Sequence, residues 1–249
     1  MESTKFIILT LGRTGSNYLC SLYSKHPQIQ MDGELFNERE LAKKFNPFLM
    51  WLIRTWPFFY LRYRNKKALR RKKSVYGFKL LLPQWPYDIN QGISELVQKG
   101  YKPIYLFRRN MVAQLISIAI ANQEKRWVVR NMNEYSNEKK SIDLELAKEK
   151  LALLDIHEKQ LNAVCDAYPG LVLYYEDHLA NANQLETLGS LVNSYLGIAP
   201  HSLVSGMLKT DVRSDRERIA NLNEFLSMLN DLGYEKEVAY YLAQENANA

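Results

Sequence analysis

A chain of 249 residues has the length of one large domain or two small ones, and either can bury a sizeable core. Hydrophobic residues at 47% and charged residues at 24% exclude collagen-like, low-complexity and wholly disordered chains. Two cysteines, Cys20 and Cys165, exclude a disulfide framework and a cysteine-built zinc site. The first apolar run, Phe6–Leu9, is too short for a signal peptide, and no uninterrupted stretch of roughly 18 apolar residues is present to span a bilayer. The expectation is a soluble, cytoplasmic protein. The net charge of +6 is local: between Arg62 and Lys73 eight of twelve residues are basic and none is acidic. The rest of the chain is slightly acidic overall, so no nucleic-acid partner is expected.

In chain order, Lys5–Thr10 is a β-branched and aromatic run closing at Gly12, which predicts a buried strand. Ser16–Lys25 places Tyr18, Leu19, Leu22 and Tyr23 at helical spacing before His26-Pro27. Gln28–Met31 is a second short strand leading into Asp32-Gly33-Glu34. Ser74–Leu82 is a third strand, and Lys102–Phe107, after the helix stop at Gly100, a fourth. Met111–Gln123 is helical and mostly apolar, as for a helix covered on more than one side. Residues 125–142 are polar and predict a mobile loop. Asp143–Tyr168 is a long amphipathic helix, carrying Leu144, Ala147, Leu151, Leu154 and Leu161 and ended by Pro169-Gly170. Leu171–Tyr175 is a fifth strand, and Asn183–Leu196 and Leu222–Asp231 are further helices. This alternation predicts a single α/β domain over residues 1–249, a parallel sheet with helices on both faces.

Three places carry chemistry. The first strand feeds Gly12-Arg13-Thr14-Gly15-Ser16-Asn17, which opens the first helix. A strand, a glycine turn and a helix N-terminus make an anion cradle of backbone N–H groups and positive dipole. Arg13 adds a fixed charge, and Thr14, Ser16 and Asn17 add side-chain donors. An ordinary βα turn with Ser16 as N-cap is the structural alternative. The loop lacks the spacing and the lysine of a Walker A motif. Second, Arg108-Arg109-Asn110 follows the fourth strand, with Ser117 eight residues after Arg109. In open α/β sheets ligands bind beyond the carboxyl ends of strands, so two anion sites on one edge suit a nucleotide with phosphates at both ends of its ribose. Solvated arginines, and a serine bonded to its own helix, are the alternatives here. Third, Glu34 of Asp32-Gly33-Glu34 ends the second strand, where a carboxylate can take a proton from an acceptor hydroxyl. Burial would raise its pKa and neighbouring cations would lower it.

Together these segments resemble the sulfotransferases that use 3′-phosphoadenosine 5′-phosphosulfate (PAPS), most of all the bacterial carbohydrate sulfotransferases of the nodulation-factor and trehalose type. Gly12–Tyr18 is similar to the family's 5′-phosphosulfate loop, with Arg13 where many members have lysine. Arg109 and Ser117 have the Arg-x7-Ser spacing of its 3′-phosphate site, and Glu34 matches the residue taken there as catalytic base. Tyr76-Gly77-Phe78-Lys79 and Arg218-Ile219-Ala220-Asn221 also have a familiar look. The resemblance covers the first forty residues, 75–82 and 104–121. It implies a P-loop-like sulfotransferase fold and metal-free sulfuryl transfer from PAPS to a carbohydrate, small-molecule or lipid-linked acceptor. Arg13 and Glu34 would be catalytic, and Arg13, Thr14, Gly15, Ser16, Asn17, Arg109 and Ser117 would bind the donor. Arginine at position 13 keeps the charge without serving as a proton donor.

Two rival readings remain at this level. A P-loop kinase would want a Walker lysine and a magnesium-holding acid at a strand end, for which Glu176-Asp177 after the fifth strand is the candidate. A membrane- or nucleic-acid-binding module would be built on the basic run Arg62–Lys73, which has few interleaved aromatics for RNA and whose structural alternative is a solvated charged loop; within the insertion at 45–73 an aromatic-rich apolar stretch, Phe45–Leu61, precedes it. That composition fits an anchor on an anionic membrane surface, a core helix, or a lid over a greasy acceptor.

Overall fold

The computed structural model describes residues 3–125, 138–204 and 214–247; the predicted loop at 125–142 lies largely outside the described residues. In chain order the elements are β1 (Thr4–Thr10), α1 (Ser16–Ser24), β2 (Ile29–Glu34), α2 (Glu38–Ala42), α3 (Pro47–Thr55) and α4 (Pro57–Arg70). There follow β3 (Val75–Leu81), α5 (Ile89–Gln98), β4 (Tyr101–Phe107), α6 (Met111–Glu124), α7 (Leu144–Ala167) and β5 (Leu171–Tyr174). The chain continues through α8 (Tyr175–His178), α9 (Leu185–Leu196), α10 (Asp215–Arg218), α11 (Leu222–Asp231) and α12 (Glu235–Ala247). They form two compact units, residues 1–107 with 157–206, and residues 108–156 with 207–249.

The first unit is built on a five-stranded sheet of order β2-β3-β1-β4-β5, parallel throughout. The central strand β1 reads as a continuous apolar run because both of its faces are covered. On one face Phe6, Ile8, Ile104, Leu106 and Leu173 pack against Leu19, Leu22 and Tyr23 of α1 and Leu188, Val192 and Leu196 of α9. On the other, Phe78 meets Phe36 and Tyr101 edge-on, and Ile93 and Leu96 of α5 are fully buried. Tyr105 donates its hydroxyl proton to the Tyr168 carbonyl just beyond α7 at 2.6 Å. In the strand order the chain passes from β1 to β2 on one side and from β4 to β5 on the other, so the carboxyl ends of the neighbours β1 and β4 form the switch point where such sheets bind ligands.

Residues 45–73 resolve into two helices rather than one segment. Prolines open both, Pro47 behind the Asn46 cap and Pro57 after Trp56, because proline suits a first helical position and cannot continue a preceding helix. The inner face of α4 (Pro57, Leu61 and Ala68) is buried, and Phe45 and Tyr60 pack edge to face. The core-helix reading therefore holds for the inner face alone.

The second unit comprises α6, the first half of α7, and α10–α12. Buried Asp215 receives Arg218 and, at 3.1 Å, the Tyr241 hydroxyl. Asn221 both accepts from the Ile142 N–H at 2.8 Å and donates to the Ile142 carbonyl at 2.9 Å. Ile219 forms a bridge with Lys140. The Arg218–Asn221 stretch thus pins the segment ahead of α7.

Gly77 lies opposite Phe6 on the neighbouring strand, and a Cβ there would come within 2.1 Å of the Phe6 ring. Gly77→Ala is expected to destabilise the protein by about 1–3 kcal/mol, the usual cost of overpacking a core. Urea titration checks the loss, and Phe6→Leu in the same chain should restore part of it.

Candidate functional site

The loop after β1 is held from below. Thr10 donates its hydroxyl proton to the Leu106 carbonyl of β4 at 2.7 Å, and the Thr14 hydroxyl sits 2.6 Å from it. The Thr14 side chain is therefore turned into the sheet, and what Thr14 presents outward is backbone. Arg13 has φ +63° and Gly15 φ +84°, both in the left-handed region. That region costs a non-glycine residue roughly 1–2 kcal/mol, and its alternation with right-handed residues turns successive N–H groups into an anion-binding concavity. Gly15 is required twice: by its φ, and because a Cβ would meet the Tyr175 ring at 2.6 Å. Gly15, not Ser16, is the N-cap of α1, and no side chain caps the helix; Ser16 is its buried first residue. A Cβ on Gly12 would meet nothing within 4 Å. The loop has the backbone donors and the helix dipole that favour a multiply charged anion.

Behind the loop stands a cation that sequence reasoning did not assign. Lys79 of β3 is 1% exposed. Its ammonium lies 2.7 Å from Glu34 Oε1 and donates to Asn17 Oδ1 in the first turn of α1. Glu34 Oε2 in turn accepts from Asn37 Nδ2 and from Gln84 Nε2, each at 2.6 Å. Burial alone would push the Glu34 carboxyl up. The Lys79 ammonium and the hydrogen bonds from Lys79, Asn37 and Gln84 outweigh it and hold the group below the ordinary carboxylate range. The lowering cation is thus a lysine from the sheet.

Glu34 reaches this position through a bulge. Asp32 is in register with Phe78, yet Glu34, two residues on, is in register with Lys79. In a regular strand both acids would share a face; the extra residue, Gly33, sends them to opposite faces, the usual use of a bulge beside a site. Asp32 consequently belongs to the far face, buried, with both oxygens bound by Arg64 of α4 at 3.0 and 2.6 Å and the Tyr76 hydroxyl at 3.0 Å. Arg64 is one of the eight cations of the basic run, and its work is structural.

Arg109 and Ser117 belong to the second unit. Arg109 is exposed two residues beyond the end of β4, and Ser117 lies in the second turn of α6. Asn110 caps that helix, accepting from the Ala113 N–H at 3.0 Å. Glu176 and Asp177 fall in the short helix α8.

A strand–loop–helix turn at the switch point of an all-parallel sheet is the arrangement in which α/β folds hold anionic ligands at the carboxyl edge. The comparisons narrow this. A crystal structure of a sulfotransferase from Alicyclobacillus acidocaldarius superposes with a TM-score of 0.52, covering 99% of this chain and 97% of that one at 13% identity; the chain has that fold. Over 130 residues it is 29% identical to nodulation protein H of Rhizobium tropici, a match covering 49% of this chain and 48% of that protein. The chain thus spans about half the length of the curated relative it matches. No family model matches. In motif order, in sequence and in fold, the chain resembles the PAPS-dependent sulfotransferases.

Lys79 entered the sequence reading only as the end of the Tyr76–Lys79 stretch, and no role was assigned to it, to Asn37 or to Gln84. The one available signal was a lysine near the carboxyl end of an otherwise apolar strand, since a buried strand tolerates a charge only where it is paired.

Lys79→Met leaves a buried carboxylate without its cation and is expected to cost about 3 kcal/mol, the low end for breaking a buried ion pair. Lys79→Met/Glu34→Gln should recover most of that loss. Because the folded Glu34 pKa is depressed, its contribution is complete above the unfolded carboxylate pKa and is lost as pH falls through the folded value. The stability difference between wild type and Glu34→Gln, read by urea titration, should be level near neutrality and shrink in acid. A difference that grows on acidification would contradict the pairing.

Proposed function

We propose that the chain is a PAPS-dependent sulfotransferase, cytoplasmic and acting as a single domain, that transfers a sulfuryl group to a hydroxyl of a carbohydrate or glycolipid-like acceptor. The observation that carries the reading is the Glu34–Lys79–Asn17 chain of contacts, which ties a carboxylate to the first turn of the anion-binding helix. The resemblance to nodulation protein H supports the same chemistry.

The phosphosulfate supplies an activated sulfuryl group on a good leaving group. Arg13, the loop N–H groups and the dipole of α1 stabilise the negative charge that builds on the departing phosphate. Glu34, ionised at neutral pH, accepts the acceptor's hydroxyl proton as the new oxygen–sulfur bond forms and the bond to the bridging oxygen breaks. A depressed pKa makes it a weak base but keeps it in the competent form. Asn37 and Gln84 hold the carboxylate in one orientation, the positioning that in-line transfer requires. Lys79 holds Glu34 and Asn17 together, so its charge acts through the carboxylate and the first turn of α1. Arg109 and Ser117 bind the 3′-phosphate of the donor, and the remaining product is 3′-phosphoadenosine 5′-phosphate.

Calorimetric titration with that bisphosphate, followed by acceptor screening with labelled PAPS, tests the reading. Arg109→Ala should weaken bisphosphate binding by more than about 1.5 kcal/mol, the lower range for hydrogen bonds to charged groups. It should barely affect a nucleotide lacking the 3′-phosphate; equal losses would remove Arg109 from that site.

Glu34→Gln should reduce turnover by roughly 10²–10⁴-fold, the usual worth of a general base, with bisphosphate binding nearly unchanged. Surviving turnover would place the base elsewhere. Transfer that requires magnesium would favour kinase chemistry instead.

A further inference from the structure

Residues 41–87 contain twelve lysines and arginines and no aspartate or glutamate. The structure sorts these cations. Lys79 and Arg64 are paired inside with Glu34 and Asp32, and Lys73 donates to the carbonyls of His26 and Pro27. Arg71 reaches Gln30, and Arg54 pairs with Glu38 at the surface. Arg62, Lys66, Lys67 and Arg70 remain exposed on α4, and among the described residues no acidic side chain forms an ion pair with them.

Helical spacing places Phe59, Arg62, Tyr63, Lys66, Lys67 and Arg70 on one face, opposite the buried Pro57, Leu61 and Ala68. At the N-terminal end of that stripe the apolar side chains are uncovered. Phe48 is 65% exposed, Trp51 54%, Trp56 55% and Phe59 70%. The Trp51 ring lies 6.0 Å from both Phe48 and Trp56, so the rings form a patch. Half of the large apolar side chains exposed among the described residues fall between Phe48 and Leu69.

We propose that the outer face of the α3–α4 hairpin is a docking surface for an anionic lipid bilayer. Tryptophan and phenylalanine partition into the headgroup region, and a neighbouring row of lysine and arginine is drawn to anionic lipid. Among the described residues no acid pairs with the Arg62, Lys66, Lys67 and Arg70 row, so a docked partner would supply the counter-charge. A second copy of this chain would set the same cations against each other, which disfavours self-association. The hairpin is braced for this use: Arg64, in the middle of α4, holds the buried Asp32 with two hydrogen bonds, so the outer face is presented by a fixed helix.

The test uses the full chain with vesicles of phosphatidylcholine, with and without a minor fraction of phosphatidylglycerol. The protein should sediment with the anionic vesicles at low salt, not with the neutral ones, and release near 1 M salt, where the Debye length is about 3 Å. Arg62→Gln/Lys66→Gln/Lys67→Gln/Arg70→Gln should lower vesicle affinity at least about tenfold, with thermal unfolding and bisphosphate binding unchanged. In the wild type, brominated phosphatidylglycerol should quench tryptophan fluorescence, and Trp51→Phe/Trp56→Phe should abolish that quenching. Absence of sedimentation, undiminished affinity in the four-site variant, or quenching that survives in the double-phenylalanine variant would overturn the proposal. So would equal binding to soluble polyglutamate without lipid quenching, which would mark a site for acidic polymers. Because bisphosphate binding is read on the same variants, failure here is separable from failure of the sulfuryl-transfer reading.

Discussion

An ammonium group taken out of water persists only where acceptors surround it, since an isolated buried charge costs several kcal/mol even after relaxation. Lys79 imposes that requirement on the middle of the sheet, and much of the carboxyl edge is arranged to meet it. Glu34 comes from β2, Asn17 from the first turn of α1, and both lie against the same nitrogen. Asn37 and Gln84, each just beyond a strand, then close around the carboxylate. The pair joins three otherwise separate pieces of chain at the point where the loop after β1 gives way to α1.

The far face of the same two strands repeats the logic with different partners. Asp32 points away from the loop and is met by Arg64 and by the Tyr76 hydroxyl, so two acids two residues apart do unrelated work. The bulge at Gly33 makes the division possible, because without it both carboxylates would lie on one face and compete for one set of cations. Bracing α4 through Arg64 also fixes which of its residues remain outside.

The loop itself accepts a cost. Arg13 sits in a backbone region that side chains other than glycine disfavour, and such strain persists where the surroundings enforce it. Here the Thr10–Thr14–Leu106 contacts below and Tyr175 against Gly15 leave the turn little alternative. The fold shared with the Alicyclobacillus sulfotransferase supplies the parallel edge. The chemistry depends on the particular side chains brought to it.

Much of this was legible in the amino-acid order. Periodic patterns, glycine stops and prolines located the five strands and helices α1, α6, α7, α9 and α11 to within a few residues, because burial on both faces makes parallel strands uniformly apolar; α4, α5 and α12 were not read as helices. The glycine loop, Arg13, Glu34 and Arg109 stood out because their residue types fall at strand ends. The partners of Glu34 did not stand out. Lys79 is 45 residues away in sequence, and its contact depends on strand order and on one residue of register. A change of one residue in register reverses the face of every side chain that follows. The same holds for the basic run, where composition gave the charge but could not separate Arg64, which binds inside, from Arg62 and Lys66 on the outer face. That separation exists only once the inner face of α4 is packed on the sheet, since burial, unlike charge, is a property of the folded chain.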